Sequence, residues 1–180
     1  MHNLLHESQK AIINLPPRND TETEVFASFD FPEGLLKFEG QEFIFPEGFH
    51  VEVSARWLEE DLLMAEIELS AEIEAECARC LKPVTLEISG KLLYLYHSRG
   101  AEAEDEEDFM PVEVDYFGRV LDVMPQINES LYTLMPTKIL CREDCKGLCP
   151  NCGADLNEGE CSCKEEISDP RLEALRNFKI

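Results

Sequence analysis

Apolar and polar residues alternate along much of the first half of the chain. The segment FHVEVSARW, residues 49–57, has an apolar side chain at every second position. A longer alternating run covers residues 63–77, and a third covers residues 84–88. This period of two is what a strand with one buried face requires, because successive side chains point to opposite faces of a sheet. A helix would place the glutamates of the longer run on every side, so strands are favoured.

Two further strand segments precede this region. They are EVFASFDF and LLKFEGQEFIF, the second with Glu39 and Gly40 at its expected turn. Residues 92–96 are apolar on both faces, as in a strand that is covered on both sides. Together these segments predict an antiparallel meander of about five strands over residues 1–98, curled into a sandwich or a small barrel.

An acidic segment follows the predicted strands. GAEAEDEEDFMPVEVD contains eight acidic residues and no lysine or arginine. Its first half cannot bury apolar surface, so we expect a flexible acidic loop over residues 99–116. A tether for a basic partner is the alternative, which is less favoured because runs of charge are usually solvated.

Beyond the acidic segment, apolar residues recur with the spacing of an α-helix. Asp122 is a suitable N-cap, and Pro136 marks the end of a helix within residues 117–140. The apolar residues on one face of this helix are Ile127, Leu131, Leu134 and Met135. We expect it to pack on the open face of the sheet, which makes the fold α+β. SDPRLEALRNF predicts a second helix, with Asp169 as its N-cap, at the end of the cysteine-rich segment 141–180.

Six of the eight cysteines fall within residues 141–163. In CPNCG, two cysteines separated by two residues and followed by glycine favour a tight turn that points both sulfurs at one ion. CSC supplies another close pair, although a single intervening residue is a less usual spacing. Zinc prefers four ligands in a tetrahedron and binds thiolates well. We therefore predict a closed, structural zinc site, whose ligands are Cys149, Cys152, Cys161 and Cys163.

The remaining four cysteines leave alternatives open. Cys141 and Cys145 form one pair, and Cys77 and Cys80 lie at the expected turn between the two longest strands. Either these four meet and bind a second zinc ion, or each pair is only structural. In a third arrangement Cys145 replaces one ligand of the first site. Cys77 continues the apolar face of its strand, where cysteine packs as a small hydrophobic residue, whereas Cys80 in the turn has no such role.

Charge narrows the choice of partner. The 180 residues include 38 acidic and 16 basic side chains, a net charge of −22. RNA binding through phosphate neutralisation needs clustered positive charge, which this acidic chain lacks on average. A basic protein is therefore favoured over RNA as the partner. The alternative is that the acidity only keeps the protein soluble. Positive charge does gather beside the cysteine turns, where it could form one patch for a partner or RNA. The residues are Arg79, Lys82, Arg142 and Lys146.

Several classes of protein are disfavoured. The first residues lack a signal-peptide pattern, and no stretch of about 18 apolar residues occurs. We therefore expect a cytoplasmic protein without a membrane span, in which thiols stay reduced and bind metal. The histidines are scattered, and we find neither a phosphate-binding glycine loop nor a serine-nucleophile motif. The sequence predicts no enzyme and no small-molecule substrate.

Four segments, in chain order, resemble the YceD family, the large ribosomal RNA subunit accumulation proteins of bacteria. They are CARCLKPV, LDVMPQINESLYTLMPTKILC, DCKGLCPNCGADLN and DPRLEAL. The resemblance covers about residues 45–178. It implies a ribosome-biogenesis factor that supports the synthesis, processing or stability of 23S ribosomal RNA. Genes of the family often lie beside the gene for a small, basic protein of the large ribosomal subunit. Such a protein, or an rRNA precursor, is therefore the expected partner. Some family members lack the cysteine-rich tail, including the four cysteines predicted to bind zinc. The resemblance therefore implies that zinc binding is not the common function of the family and that zinc stabilises the C-terminal segment.

Two rival functions use the thiols directly. A redox-regulated zinc-thiolate holdase chaperone is the alternative, because oxidation of zinc-bound thiolates releases the metal and unfolds a segment. A thiol oxidoreductase based on Cys77 and Cys80 is disfavoured. A redox pair normally opens a helix that lowers its thiol pKa, whereas this pair caps an expected hairpin.

Overall fold

The structure is a computed structural model that describes residues 10–38, 40–98, 110–114 and 118–163. Most of these residues lie in strands, and one helix packs against them, which confirms the predicted α+β class. The strands are β1 Ile12–Asn14, β2 Val25–Phe31, β3 Gly34–Phe38, β4 Gln41–Phe45, β5 Phe49–Glu59, β6 Leu62–Glu76, β7 Pro83–Ser98, β8 Met110–Val114 and β9 Val120–Asp122, and the helix is α1 Met124–Leu134.

Strand β6 organises a sheet of seven strands. One edge of β6 pairs along its whole length with β7. The other edge pairs first with β5 and then, near its end, with β4. Strand β2 extends the sheet from β5, and β3 extends it from β4. These ladders do not close on themselves among the described strands, so they form no barrel. A separate pair, β1 and β9, shares the core with the large sheet.

The alternation of residue types in the sequence is an alternation of burial in the structure. Register places Val53 opposite Ile67 and Ala55 opposite Ala65, and all four side chains are buried. The residues between them in the chain point to the other face, which is mainly polar. Burial of the apolar face stabilises the sheet by about 25 cal/mol for each Å² removed from water.

Helix α1 lies across β6 and β7 on the buried face, and two tyrosines of β7 anchor it. The Tyr94 hydroxyl donates to the backbone carbonyl of Gln126 at 3.1 Å and accepts from Ser130 at 2.9 Å. The Tyr96 hydroxyl donates to Oε1 of Gln126 at 2.9 Å. Buried hydroxyls need partners, so these bonds select one position for the helix.

The predicted N-cap of this helix is wrong. Val123 occupies the N-cap position, and Asp122 is the last residue of β9, where it pairs with Ile12. Pairing with β1 holds Asp122 in extended backbone, so the helix begins only after it. The carboxylate still accepts from the N–H of Met124 at 3.0 Å and from that of Ala11 at 3.1 Å. It therefore ties the start of the helix to the first strand.

The predicted acidic loop also extends too far. Residues 110–114 form β8, which pairs in parallel with the end of β7. Its apolar residues alternate and pack against the core. The predicted meander was entirely antiparallel, so it did not include this parallel strand. Residues 99–109 lie outside the described ranges, as does the helix predicted after Asp169.

Gly48→Ala should lower the free energy of unfolding by about 2–4 kcal/mol, the range of severe backbone defects. Gly48 has φ +79°, and a Cβ there would overlap the carbonyl oxygen of Phe31 and lie 2.8 Å from the carbonyl carbon of Pro32. Gly40 is the matched control, because it has φ +81° but no atom within 4 Å of its Cβ position. Gly40→Ala should cost only about 1–2 kcal/mol for the left-handed backbone. Equal losses in urea unfolding would contradict the steric argument.

Candidate metal centres and acidic groove

The first group of thiols joins the sheet to the segment after the helix. We call it the inner cluster, and its members are Cys77, Cys80, Cys141 and Cys145. Their four sulfurs lie within 4.8 Å of one another. The sulfurs of Cys77 and Cys145 are 3.8 Å apart. Those of Cys80 and Cys141 are 3.5 Å apart. All but Cys141 are buried.

The second group lies further along the chain. We call it the outer cluster, and its members are Cys149, Cys152, Cys161 and Cys163. These four sulfurs also lie within 4.8 Å of one another. Cys149 is buried, Cys152 is exposed and the other two are partly exposed. Gly153 has φ +73° and donates its N–H to the Cys149 carbonyl at 2.9 Å, which closes the turn expected from CPNCG. Cys145 belongs to the inner cluster and replaces no member of this one.

Both clusters could hold a metal ion. None of the eight cysteines forms a disulfide. Four sulfurs bound at about 2.3 Å to a tetrahedral ion would be about 3.8 Å apart, close to the two separations in the inner cluster. A disulfide would need about 2.05 Å. The donor set therefore fits a closed four-thiolate site in each cluster, and the sulfur separations of the inner cluster fit its geometry.

The turn between β6 and β7 positions the first two thiols. The Cys77 N–H donates to the Lys82 carbonyl at 2.8 Å, and the Leu81 N–H donates to the Cys77 carbonyl at 2.9 Å. Leu81 takes φ 60°, a strained value for a side chain of its size. The N–H of Ala78 donates to the Ile139 carbonyl at 2.8 Å, which draws the segment after the helix onto the turn.

Backbone N–H groups prepare one thiolate in each cluster. Burial raises the pKa of the Cys77 thiol, but hydrogen bonds from three backbone N–H groups outweigh it and lower that pKa to about 6. Bonds from the N–H groups of Cys152 and Asn151 lower the pKa of Cys149 to about 6 as well. Bonding to Cys80 raises the pKa of Cys141 to about 12. These hydrogen bonds favour the thiolate form of Cys77 and of Cys149, and a divalent cation bound in either cluster would favour ionisation of the other thiols.

The predicted basic residues surround the inner cluster, and most of them hold it together. The Arg79 guanidinium donates to the Cys145 carbonyl at 2.6 Å. Lys82 forms ion pairs with Asp155 at 2.7 Å and Glu158 at 3.0 Å. The ion pair with Lys82 lowers the pKa of Asp155 to about 2.

The other two basic residues contact the same loop. Arg142 donates to the Asn157 side chain at 2.8 Å and pairs with Asp144 at 3.3 Å. Lys146 donates its backbone N–H to the same Asn157 oxygen at 2.8 Å. Asn157 is a site residue that the sequence did not indicate, because its contacts reach back to a different loop.

A second candidate site lies on the polar face of the sheet. A groove of about 540 Å³ crosses β2, β5 and β6. Its acidic lining consists of Glu24, Glu52, Glu66 and Glu68. Phe26, with 77% of its surface exposed, forms part of its wall. The site combines negative charge with an exposed aromatic ring.

Like charges face one another across this surface. Register places Glu52 opposite Glu68 and Glu72 opposite Glu87. Such pairs destabilise a sheet. Lys91 compensates part of the charge, since its Nζ lies 2.8 Å from Glu66 and 3.4 Å from Glu68. This polar face of the sheet, which we call the acidic face, retains a net negative charge.

No helix within the described ranges is long and apolar enough to cross a membrane.

A family model and one named relative point to the same family. A family model described as "Large ribosomal RNA subunit accumulation protein YceD" matches residues 65–179. Uncharacterised proteins of Mycobacterium tuberculosis and Mycobacterium bovis are 34% identical over 109 residues, which is 59% of this chain and 51% of theirs. An Arabidopsis thaliana protein is 32% identical over 76 residues, 42% of this chain and 22% of its own length. Its name is "Large ribosomal RNA subunit accumulation protein YCED homolog 1, chloroplastic".

The chain spans about half the length of the mycobacterial relatives. No solved structure matches it.

Proposed function

Because the chain belongs to the YceD family of large ribosomal RNA subunit accumulation proteins, we propose that it is a non-enzymatic ribosome-biogenesis factor. It supports the synthesis, processing or stability of 23S ribosomal RNA. The family match over residues 65–179 is the observation that carries this proposal. Its working compartment is the cytoplasm, where eight unpaired thiols stay reduced.

The partner in this proposal is a small, basic ribosomal protein of the large subunit. The acidic face supports it, because facing glutamates such as Glu52 and Glu68 cost stability in the free protein and would be neutralised by lysine or arginine of a client. The exposed Phe26 ring beside this charge can stack with an arginine. The protein would shield its client until the client reaches rRNA.

Direct binding to an rRNA precursor has weaker support. Phosphate contacts need available cations, but Lys82 is paired with Asp155 and Glu158, and Arg142 with Asp144. Arg79 is held by the Cys145 carbonyl. These cations support the cysteine loops first, and the net charge of −22 repels RNA on average.

The metal in this proposal is zinc, one ion in each cluster. Four thiolates in a closed tetrahedron are typical of structural zinc sites and leave no open position for catalysis. The ions therefore stabilise the cysteine-rich segment, and the client surface lies elsewhere on the sheet. This role agrees with the expectation that zinc is not the common function of the family.

Native affinity purification tests the proposed function. We expect a basic large-subunit ribosomal protein to co-purify and to remain after ribonuclease treatment, and loss of the gene to lower the amount of large subunits. Raising salt from low to physiological concentration should slow association more than it accelerates dissociation, because the attraction is largely Coulombic. Recovery of 23S RNA by the purified protein alone, with no ribosomal protein bound, would contradict the proposed partner.

A further inference from the structure

We propose that the two cysteine clusters form a coupled pair of metal sites, in which closure of the outer site positions Asn157 against a sulfur ligand of the inner site. Metal in the outer site thereby raises the affinity of the inner site, and the reverse follows by linkage. The inference rests on the proposal that both clusters bind zinc.

Asn157 is the point of contact between the clusters. It lies in the loop between Cys152 and Cys161, so both ends of its loop are ligands of the outer cluster. Its side-chain NH₂ group donates to the sulfur of Cys145, an inner-cluster ligand, at 3.5 Å. One side chain thus connects the loop of one site to a ligand of the other.

The orientation of the Asn157 amide is determined by its neighbours. Its oxygen lies 2.8 Å from the backbone nitrogen of Lys146 and 2.8 Å from a nitrogen of Arg142. Both of these groups can only donate, so the atom facing them is the carbonyl oxygen. The NH₂ group must then face Cys145 and Asp155, whose carboxylate accepts at 2.7 Å. The hydrogen bond to sulfur is therefore a consequence of the surrounding donors.

The remaining contacts place this loop against the inner cluster as a unit. The N–H of Leu156 donates to the Gly147 carbonyl at 2.9 Å, and the N–H of Leu148 donates to the Arg79 carbonyl at 3.1 Å. Gly147 permits this approach, because with φ +78° it would place a Cβ only 2.9 Å from the Arg79 carbonyl oxygen. The loop that contains Leu156, the loop that contains Gly147 and Leu148, and the β6–β7 turn that contains Arg79 therefore pack directly on one another.

An outer ion lowers the entropic cost of this arrangement. With metal bound, Cys152 and Cys161 are held together, and the loop between them has few conformations left to lose. Without it, individually weak contacts hold Asn157 near Cys145, namely its side-chain bonds to Arg142 and Asp155, the backbone hydrogen bonds and the Lys82 ion pairs. Groups that hydrogen-bond to a metal ligand typically change metal affinity by about 10–100-fold, which sets the expected size of the coupling.

The test compares Zn²⁺ dissociation constants, measured on the full chain by competition with a chelator. Cys161→Ser/Cys163→Ser reports the inner site alone, and Cys77→Ser/Cys80→Ser reports the outer site alone. For independent sites, the product of the two constants of the unaltered protein equals the product of these single-site constants. We expect the measured product to be smaller by about tenfold or more.

Asn157 variants test the route while keeping all eight cysteines. Asn157→Ala should abolish most of the coupling, whereas the control Glu160→Ala, at an exposed position in the same loop between Cys152 and Cys161, should retain it. Asn157→Asp keeps acceptor oxygens but places a carboxylate beside sulfur, so it should weaken the inner site at least as much as Ala does.

The inference would be overturned if the product of the two dissociation constants of the unaltered protein equalled the product of the single-site constants. Coupling that persists in Asn157→Ala would overturn it as well. Wild-type affinity in Asn157→Asp would also overturn it, because that variant cannot donate to Cys145. Elemental analysis separates these outcomes from failure of the metal proposal. A chain that takes up fewer than two zinc ions overturns both.

Discussion

Cys77→Ser/Cys80→Ser is expected to detach residues 141–163 from the sheet. The inner cluster joins the β6–β7 turn to this segment across 68 positions of sequence between Cys77 and Cys145. Binding of a structural zinc ion contributes about 10–16 kcal/mol. The other links are a few hydrogen bonds, each worth about 1 kcal/mol, and the Lys82 ion pairs with Asp155 and Glu158, which solvent screening weakens. Without the ion they cannot hold the segment in place.

Hydrogen exchange and limited proteolysis measure this detachment. The variant should exchange rapidly and be cleaved within residues 141–163, while β5 and β6 remain protected because they have their own buried core. Zinc content should fall by one ion for each chain. A chelator should produce the same pattern in the unaltered protein.

Cys161→Ser/Cys163→Ser is the matched control, since it also removes two thiols and one ion. The inner cluster stays intact, so protection should be lost around residues 150–163 and largely retained around Cys141 and Cys145. Identical cleavage patterns in the two variants would contradict the prediction that the inner cluster attaches residues 141–163 to the sheet.

The triple change Glu52→Gln, Glu72→Gln and Glu87→Gln should weaken binding of the proposed basic client by about tenfold at low salt. Each exposed charge contributes up to about 1 kcal/mol to such a complex, and the three lie on one face of the sheet. The same change should leave the free protein as stable as before, or stabilise it by about 0.2–1 kcal/mol for each like-charged pair that it relieves. Binding and stability are therefore expected to move in opposite directions.

The control is a second triple with the same loss of charge at a different place. Glu59→Gln, Glu60→Gln and Glu129→Gln are exposed positions in the β5–β6 turn and on α1. Calorimetric titration with the client should give nearly the affinity of the unaltered protein. Equal weakening by both triples would mean that the net charge of −22, and not the acidic face, attracts the client.

Local features of the fold could be predicted from the sequence. The period of two defines β5 and β6 because a half-buried strand must alternate, whatever its neighbours are. The CPNCG turn is local in the same sense, since its closing hydrogen bond joins Cys149 to Gly153. The resemblance to the YceD family was likewise visible in short segments, and the family match confirms it.

Pairing between strands that are distant in the chain determined the features that the sequence did not predict. Asp122 is a sound N-cap by residue type, but pairing with Ile12 holds it in a strand. Residues 110–114 join the sheet because β7 extends far enough to offer them a parallel edge. The acidic residues around this segment favoured a loop in the sequence analysis. A run of charge indicates exposure to solvent, but it does not indicate which strand a segment pairs with.

The cysteines show the same division. Sequence spacing grouped the outer four, whose members are close in the chain, but left open whether Cys77 and Cys80 meet Cys141 and Cys145. Only the stacking of the strand turn on the later loop brings those sulfurs within 4.8 Å. The role of Asn157 depends on that same stacking, because a hydrogen bond between two loops has no pattern in the sequence of either one.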